Sequence, residues 1–215
     1  MVRLIVVGIG DNYYMKIFIA SGNLNKIKEI KAIISASAEE LDLDLHSIQG
    51  IDIPEPAEPY QTFMENARHK AQYYADYLGA PTISEDAGLC IETLDDFPGV
   101  ITKDFLVHCG SLERAFANLE HMLIGKTNYS ASFICAAALY IPIKKQFITC
   151  EGKVFGEISF PARGDKGFGF DPIFVPSGYN KTLAELGLEL KNVIGHRAIA
   201  IRGIAKQLSQ KGYND

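Results

Sequence analysis

The sequence predicts a mixed-sheet protein of the α/β or α+β class rather than a purely doubly wound one. Strand-like and helix-like segments alternate in the first half of the chain, and two long strand-like segments follow each other in the second half. The 215 residues are enough to bury a full core, and they contain no internal repeat, low-complexity tract or obvious interdomain linker. The chain is therefore expected to fold as one domain or as two lobes that share a sheet.

Short strands and amphipathic helices alternate at the start of the chain. Ile17 to Ala20 is predicted to be a buried strand, and a helix follows from about Asn25 to Ser35, where isoleucines recur on one helical face. Leu41 to Ile48 alternates apolar and polar residues, which is typical of a strand. Thr62 and Glu65 have the spacing of a capping box, and this pair predicts a second helix after a proline-rich loop.

The remaining segments favour strands between two further helices. Thr82 to Ser84 is predicted to end a strand, and Glu85-Asp86-Ala87-Gly88 is predicted to form a turn. Tyr129 to Ile141 and Phe147 to Ile158 are rich in β-branched and aromatic residues, so we expect them to pair as long antiparallel strands. The predicted helices run from about Ser111 to Ile124 and from about His196 to Leu208.

The composition argues against several classes of protein. A formal net charge of -5 and a pI near 5.6 argue against a nucleic-acid surface, which normally needs a basic stripe, but they permit a free nucleotide as ligand. Four widely spaced cysteines without a Cys-x-x-Cys pair indicate a reduced, cytoplasmic protein rather than a disulfide framework or a zinc site. Because no apolar run approaches the length of a membrane span, no membrane is expected as a partner.

The first fourteen residues match neither a targeting signal nor a cofactor motif. Leu4 to Ile9 is apolar but contains Gly8 and is too short for a convincing signal peptide. Gly8-Ile9-Gly10 after a strand-like run suggests a dinucleotide-binding turn, but that motif requires a third glycine where this chain has Tyr13. We therefore reject that interpretation and expect residues 1–14 to be an N-terminal extension and residues 15–215 to be the working domain.

A glycine-aromatic run that ends in an acid and a proline is a candidate for ligand binding. Its sequence is Gly167-Phe168-Gly169-Phe170-Asp171-Pro172-Ile173-Phe174. Glycines let the backbone approach a ligand closely, and aromatic rings offer flat faces. A flat heteroaromatic ligand such as a nucleobase would use these properties together with the carboxylate. The alternative is a β-bulge with two phenylalanines in the core, and the run alone does not decide between them.

The segment from Ser21 to Lys26 has the properties of an anion site. Its sequence, Ser-Gly-Asn-Leu-Asn-Lys, lies between a predicted strand and a helix N-terminus, where backbone N–H groups and the helix dipole attract anions. Lys26 adds a positive charge in the first turn. The segment lacks the spacing and the ending of a Walker A loop, and the alternative is that Ser21 or Asn23 merely caps the helix.

Carboxylates in two separate predicted loops are candidate metal ligands. Glu58 lies in the loop before the second helix, and Glu85-Asp86 follows a predicted strand. Acids that converge from separate loops can bind a hard cation such as Mg²⁺, which takes oxygen ligands and retains several waters. The alternative is that these acids are only solvated, and that Lys70 on the second helix is an ordinary surface lysine.

A basic cluster stands at the start of the last predicted helix. Lys191, His196 and Arg197 place three potential cations there, although a helix N-terminus usually favours acids. Such departures from a local rule tend to occur at functional sites. The other four histidines share no metal-ligand spacing.

Taken together, these segments resemble the inosine triphosphate pyrophosphatase family, also called the non-canonical purine nucleoside triphosphatase or Ham1-like family. The resemblance covers nearly everything from Ile17 to Leu208, and its specificity lies in four motifs that occur in order. They are Ser21-Gly22-Asn23-x-x-Lys26; Phe63-x-Glu65-Asn66-Ala67; Glu85-Asp86-x-Gly88-Leu89 with Pro98-Gly99; and Gly167-Phe168-Gly169-Phe170-Asp171-Pro172 with Lys191 and His196-Arg197.

The resemblance implies a fold, a reaction and an assembly. The implied fold is α/β with a mixed, Maf/Ham1-like sheet, in an elongated, two-lobed single domain with a central cleft. The implied reaction is Mg²⁺-dependent hydrolysis of ITP, dITP and XTP between the α and β phosphates, which gives a monophosphate and pyrophosphate and so cleanses the nucleotide pool. Members are commonly homodimers, so we expect a cytoplasmic homodimer that acts on purine nucleoside triphosphates.

The resemblance also implies a role for each candidate residue. Glu58 and Asp86 would bind Mg²⁺, and Asp86 would also orient or deprotonate the attacking water. The phosphate tail would be held by Ser21, Gly22, Asn23 and Lys26, with help from Lys70. The base and sugar would contact Phe168, Gly169, Phe170, Asp171, Lys191, His196 and Arg197, while Ala87 would contribute only its backbone.

Three positions depart from the family pattern. Ala87 and Gly195 stand where serine is common in relatives, and Lys103 stands near the usual place of an arginine. These changes concern the preference among substrates more than the reaction type. Two alternatives stay open: a Maf-like pyrophosphatase of pyrimidine or modified nucleotides, and a nucleotide-binding sensor without catalysis. The retention of Glu58 and Asp86 argues against the sensor.

Overall fold

The computed structural model describes residues 6–9, 12–37 and 42–210, which contain eight strands and seven α-helices. The strands are β1 (Val6–Ile9), β2 (Asn12–Ile19), β3 (Leu43–Ser47), β4 (Thr82–Ile91), β5 (Phe97–Pro98), β6 (Ser130–Ile141), β7 (Gln146–Ile158) and β8 (Phe174–Pro176). The helices are α1 (Leu24–Ser37), α2 (Phe63–Leu78), α3 (Thr102–Cys109), α4 (Leu112–Met122), α5 (Leu183–Leu186), α6 (Leu188–Ile194) and α7 (His196–Gln210).

The strands form a mixed sheet, as predicted. Their order is β1-β2-β4-β6-β7-β8, with β3 beside β2 and β5 beside β4. Strand β2 pairs in parallel with β3 and β4 and antiparallel with β1. Because parallel and antiparallel pairs meet on the same strand and helices alternate with the first strands, the α/β class is confirmed.

The chain divides into two compact units. The first consists of Met1–Asp86, Ala136–Glu151 and Ala200–Asp215, and the second of Ala87–Cys135 and Gly152–Ile199. In the first unit, buried aliphatic residues on β2, α1 and α2 include Ile17, Ile19, Ile30, Ala67 and Ala71. In the second unit one hydrophobic cluster includes Leu89, Leu119, Phe133, Phe170, Phe174 and Leu183.

The two helices of the first half begin where their sequence signals predict. Helix α1 buries Ile27, Ile30 and Ile34 on one face. Helix α2 begins after Thr62, whose Oγ1 accepts a hydrogen bond from the Glu65 backbone N–H at 3.2 Å. The helix ends at Gly79, which has a φ of 63° and therefore occupies the left-handed region that glycine favours.

The predicted turn over Glu85-Asp86-Ala87-Gly88 is wrong. These residues lie in the middle of β4, and every residue of that strand except Ala87 is buried. Polar residues and glycine favour turns because turns are usually solvated. Here each acid side chain is paired with a lysine, so the strand can bury the carboxylates without leaving them uncompensated.

The long strands and the last helix of the prediction are confirmed. Strands β6 and β7 are neighbours in the sheet, and the Ile158 N–H donates to the Tyr129 carbonyl at 2.9 Å. Helix α7 begins at His196 and helix α4 begins after Ser111, whose Oγ caps it. The sequence prediction did not include α3, α5 or α6.

A capping box holds the segment that leads from β7 to α5 in the second unit. Thr182 Oγ1 accepts from the Glu185 N–H, and the Glu185 carboxylate accepts from the Thr182 N–H at 2.7 Å. Arg163 Nε donates to Glu185 at 3.2 Å, and the Arg163 carbonyl accepts from Thr182 Oγ1 at 2.8 Å. These bonds tie Arg163, which precedes the glycine-aromatic run, to the start of α5.

The N-terminal residues that are described belong to the sheet. Strand β1 pairs with β2 from Val6↔Met15 to Ile9↔Asn12. Strand β2 therefore starts five residues before the predicted strand. The assignment of residues 1–14 as an accessory extension stays a prediction, and residues 1–5 and 10–11 lie outside the described part. Among the described helices, none is both long enough and apolar enough to cross a membrane.

Candidate active site

The segment before α1 is a cap built from two polar side chains. Asn23 Oδ1 accepts hydrogen bonds from the backbone N–H groups of Asn25 at 2.9 Å and Lys26 at 3.3 Å. Ser21 Oγ accepts from the Asn23 N–H at 3.2 Å, and Gln49 donates to the Gly22 carbonyl. The capping role weighed for Ser21 and Asn23 is therefore present, and it fixes an exposed loop at a helix N-terminus, where anions are favoured.

Five charged residues of the first unit form what we call the acid–lysine cluster: Lys26, Glu58, Lys70, Glu85 and Asp86. Lys70 Nζ lies 2.6 Å from Glu58 Oε2 and 3.6 Å from Asp86 Oδ1. Lys26 Nζ lies 2.6 Å from Glu85 Oε1. Three carboxylates thus face two ammonium groups, and the cluster carries one excess negative charge when all five are ionised.

The acid–lysine cluster is assembled from four different elements. Glu58 comes from the loop before α2, Lys70 from α2, Lys26 from the first turn of α1, and the other two acids from β4. The Glu85 side chain is only 2% exposed, so its charge depends on Lys26. The structure therefore brings the two predicted metal ligands, Glu58 and Asp86, around a single ammonium group.

The environment of the cluster shifts two pKa values. Burial raises the pKa of Asp86 from 3.8 to about 6, with further increases from Glu58 and Glu85, while Lys70 and Asn66 act in the opposite direction. Burial lowers the pKa of Lys70, but Asp86, Glu58 and Glu85 outweigh that effect and leave the pKa above its usual value of 10.5. Lys70 therefore stays charged at neutral pH, and Asp86 can take up a proton near neutrality.

The acid–lysine cluster suits a hard divalent cation of the Mg²⁺ type. Mg²⁺ is commonly bound through one or two carboxylates, the phosphates of its substrate and several waters. Glu58 and Asp86 supply two carboxylates that approach the same point, and in this structure the ammonium group of Lys70 lies at that point. Within the described ranges, no three His, Cys, Asp or Glu side chains are arranged to bind a metal by themselves. The donor set fits an ion that arrives with a phosphate ligand.

Asn66 is a polar residue of the cluster that the sequence prediction left without a role. It is 1% exposed and lies in the first half of α2. Its Nδ2 donates to Asp86 Oδ2 at 3.2 Å and to the Tyr60 carbonyl at 3.1 Å, while its Oδ1 accepts from the Tyr60 N–H at 3.0 Å. The available signal was an amide on the apolar side of an amphipathic helix.

Four residues of the second unit form what we call the Phe168 cluster: Phe168, Asp171, Lys191 and Arg197. Lys191 Nζ lies 2.6 Å from Asp171 Oδ2, and both side chains are almost fully buried. The same ammonium group lies 4.0 Å from the centre of the Phe168 ring, and the Arg197 guanidinium carbon lies 5.6 Å from it. The partly exposed ring is thus attached to two cations by cation–π contacts.

Asp171 and two glycines shape the backbone of this cluster. Asp171 Oδ2 accepts a hydrogen bond from the Phe168 N–H at 2.8 Å. Gly167 has a φ of 82°, and a Cβ there would overlap this carboxylate. Gly195 precedes α7, where a Cβ would overlap the Lys191 carbonyl oxygen. Glycine is therefore required at both positions as the chain is packed.

The remaining predicted base-site residues differ in their surroundings. Phe170 is 3% exposed and packs against Phe105 and Phe116 in the core. His196 is buried and stacks on Phe133, with 4.7 Å between ring centres. Direct contact of Phe170 or His196 with a base stays a prediction. The alternative interpretation of the glycine-aromatic run places both of its phenylalanines in the core, and Phe170 does lie there.

Two of the family departures lie at surface-accessible positions. Ala87 is the partly exposed residue of β4, directly after Asp86. Lys103 is exposed on α3. The replacement of a family arginine by Lys103 stays a prediction.

Sequence comparisons place the chain among known proteins. The model of the Ham1 family matches residues 17–207. A dITP/XTP pyrophosphatase of Zymomonas mobilis is 33% identical over 190 residues, which cover 87% of this chain and 88% of the relative. A dITP/XTP pyrophosphatase of Aquifex aeolicus is 36% identical over 209 residues, which cover 90% and 96%.

A solved structure gives the same relationship. The structure of a HAM1 protein from Coxiella burnetii superposes with a TM-score of 0.83 at 30% sequence identity. The match covers 91% of this chain and 99% of that protein. The likeness therefore extends over the whole length of a known HAM1 protein.

Proposed function

This chain belongs to the Ham1 family, and on that premise we propose that it hydrolyses non-canonical purine nucleoside triphosphates. The substrates are ITP, dITP and XTP, and the products are the nucleoside monophosphate and pyrophosphate. The observation that carries this proposal is the position of Glu58 and Asp86, two acids from separate elements around one cationic centre.

The acid–lysine cluster and the capped loop before α1 are assigned to the triphosphate. Ser21, Gly22 and Asn23 bind phosphate through an exposed loop, and Lys26 and Lys70 supply positive charge. A Mg²⁺ ion bound by Glu58 and Asp86 would act as a Lewis acid that offsets the charge of the phosphates. A rearrangement of the Lys70 ion pairs accompanies substrate binding in this scheme.

Asp86 is assigned as the residue that activates water. A water oxygen attacks the α-phosphorus, the bond from that phosphorus to the bridging oxygen breaks, and the electron pair leaves with pyrophosphate. The water proton passes to the Asp86 carboxylate. In the metal-free site, burial raises the pKa of this carboxyl to about 6, which makes it a stronger base than an ordinary aspartate.

The Phe168 cluster is assigned to the base and sugar. The exposed part of the Phe168 ring offers a face for stacking, and the cations of Lys191 and Arg197 favour acceptor atoms. Hypoxanthine and xanthine carry an acceptor oxygen at the purine 6-position, whereas adenine carries an amino donor. When the wrong base leaves buried donors of the site unpaired, the site can favour the right base by roughly 10⁴-fold.

The assembly and location complete the proposal. We expect a homodimer in the cytoplasm, where purine triphosphates supply nucleic-acid synthesis. Light scattering on purified protein measures the first expectation directly. A monomer at micromolar concentration would contradict it.

Product analysis tests the proposed function. Purified protein with Mg²⁺ should convert ITP, dITP and XTP to monophosphate and pyrophosphate, and should act much more slowly on ATP and on pyrimidine triphosphates. Preference for pyrimidine nucleotides would favour the Maf-like alternative. Nucleotide binding without any turnover would favour the sensor.

A further inference from the structure

Asn66 connects the two carboxylates that are assigned to the metal. Its amide makes three hydrogen bonds, two to the backbone of Tyr60 and one to the side chain of Asp86. Tyr60 lies two residues after Glu58 in a loop without regular secondary structure. One buried side chain therefore contacts both the loop that carries Glu58 and the strand that carries Asp86.

The pattern of partners fixes the orientation of the amide. The Tyr60 N–H needs an acceptor, which only the amide oxygen can provide. The Tyr60 carbonyl and the Asp86 carboxylate need donors, which only the amide nitrogen can provide. All three contacts are satisfied in one orientation, and the opposite orientation would leave three mismatched pairs.

The hydrogen bond from Asn66 also distinguishes the two oxygens of Asp86. Oδ2 accepts from Asn66, while Oδ1 faces the Lys70 ammonium group at 3.6 Å. The hydrogen bond thereby holds the Asp86 carboxylate with its Oδ1 directed toward the Lys70 ammonium group. Glu58 approaches the same centre at 2.6 Å.

We propose that Asn66 is a positioning residue that sets the Glu58 loop and the Asp86 carboxylate in register for metal and water. This inference rests on the proposed function. Residues that orient metal ligands commonly contribute about 10- to 100-fold to metal affinity or activity. Asn66 is assigned here because it bonds both the loop that carries Glu58 and the Asp86 carboxylate itself, and its role is to orient these groups rather than to bind the substrate.

Two substitutions separate positioning from packing. Asn66→Ala removes all three hydrogen bonds. Asn66→Asp has nearly the same shape and keeps the acceptor for the Tyr60 N–H, but it replaces the donor side with an oxygen that faces a carbonyl and the Asp86 carboxylate. A packing role predicts that the aspartate variant resembles the wild type, whereas a positioning role predicts that it is at least as impaired as the alanine variant.

The experiment measures turnover of ITP with Mg²⁺ and, separately, binding of Mn²⁺ alone by its electron paramagnetic resonance signal. For both variants we expect kcat to fall about 10- to 100-fold with KM for ITP nearly unchanged, and for Asn66→Ala we expect the Mn²⁺ affinity to fall about tenfold or more. Asn118→Ala is the matched control, because Asn118 is an exposed helical asparagine in the second unit whose amide donates to Cys109 Sγ.

Each outcome decides the inference. Wild-type kcat and Mn²⁺ affinity in Asn66→Ala, or a nearly normal Asn66→Asp, would overturn it. Loss of folding in both variants would assign Asn66 to stability and would overturn it as well. If the wild type releases no pyrophosphate, the proposed function fails, and the Mn²⁺ measurement still decides whether Asn66 sets the geometry of the acids.

Discussion

At the scale of single residues, charge compensation explains why an acidic strand can be buried. Glu85 and Asp86 lie in a strand in which every residue except Ala87 is buried. Each of the two acids faces a lysine from a helix. Breaking such a pair leaves a buried charge without compensation, which typically costs about 3–5 kcal/mol. The same compensation keeps three carboxylates close enough together to attract a divalent cation.

Asp86→Asn tests the catalytic assignment. The amide keeps the shape of the side chain but loses the charge and the ability to accept a proton from water. We expect kcat for ITP to fall by about 10²- to 10⁴-fold while the circular dichroism spectrum stays unchanged. Asp96→Asn is the control, since Asp96 is exposed with a φ of 61°, a conformation that asparagine tolerates well. Normal turnover in Asp86→Asn would remove Asp86 from its role.

Gly195→Ser tests whether the departure from the family serine is compatible with this packing. A Cβ at this position would overlap the Lys191 carbonyl oxygen, so the backbone must shift. We expect a loss of about 1–3 kcal/mol in the free energy of unfolding. Gly22→Ser is the matched control for stability, because no heavy atom lies within 4 Å of the Cβ it would add. Equal stability of both variants would show that the loop before α7 adapts freely.

Residue types were easier to predict than residue contacts. The sequence pointed to Glu58 and Asp86 because acids in separate loops can converge on a metal ion, whereas Lys70 gained a role only through the resemblance to the Ham1-like family. The Asn66–Asp86 contact joins residues 20 positions apart, and no local pattern encodes such a distance. The burial of Phe170 was equally hidden, since both phenylalanines of the run have the same local sequence context.

At the scale of elements, long periodic segments were predicted well and short ones were not. Helices α2, α4 and α7 carry apolar residues at helical spacing, α2 and α4 also begin at capping residues, and the starts of all three lie within a residue or two of the prediction. Helices α5 and α6 have four and seven residues, which is too short for a periodic signal. In β4, ion pairs override the turn propensity of the sequence.

Glu185 gives a pH-dependent contribution to stability. Hydrogen bonds from Thr182 and the contact with Arg163 lower the pKa of this carboxyl below its usual 4.5. A lowered pKa in the folded state means that the stabilisation is present above about pH 4.5 and is lost as the pH falls through the folded-state value.

Chemical denaturation as a function of pH measures this contribution. Glu185→Gln should make the unfolding free energy fall less steeply as the pH is lowered below about 4.5. The same slope in Glu185→Gln and in the wild type would contradict the assignment.

The N-terminal strand offers a second test at this scale. Pairing of β2 with β3 and with β4 uses Met15 to Ile19, and the family match begins at residue 17. We therefore expect a chain shortened to begin at Met15 to fold and to retain turnover of ITP. Loss of a cooperative unfolding transition would show instead that β1 is required for the fold.

At the scale of the whole molecule, family membership supplies what local patterns cannot. Strand order and the identity of the substrate depend on contacts between distant segments, which periodicity and composition do not encode. The four ordered motifs carried this information, and the match to residues 17–207 confirms the family. The domain boundary, the dimer and the metal stay predictions.

In the proposed reaction, water attacks the α-phosphorus of a purine triphosphate. The most direct measurement is hydrolysis of ITP in water enriched in ¹⁸O, with mass spectrometry of both products. Attack at the α-phosphorus should place the label in inosine monophosphate and leave pyrophosphate unlabelled. Label in pyrophosphate, or release of orthophosphate with inosine diphosphate, would contradict it.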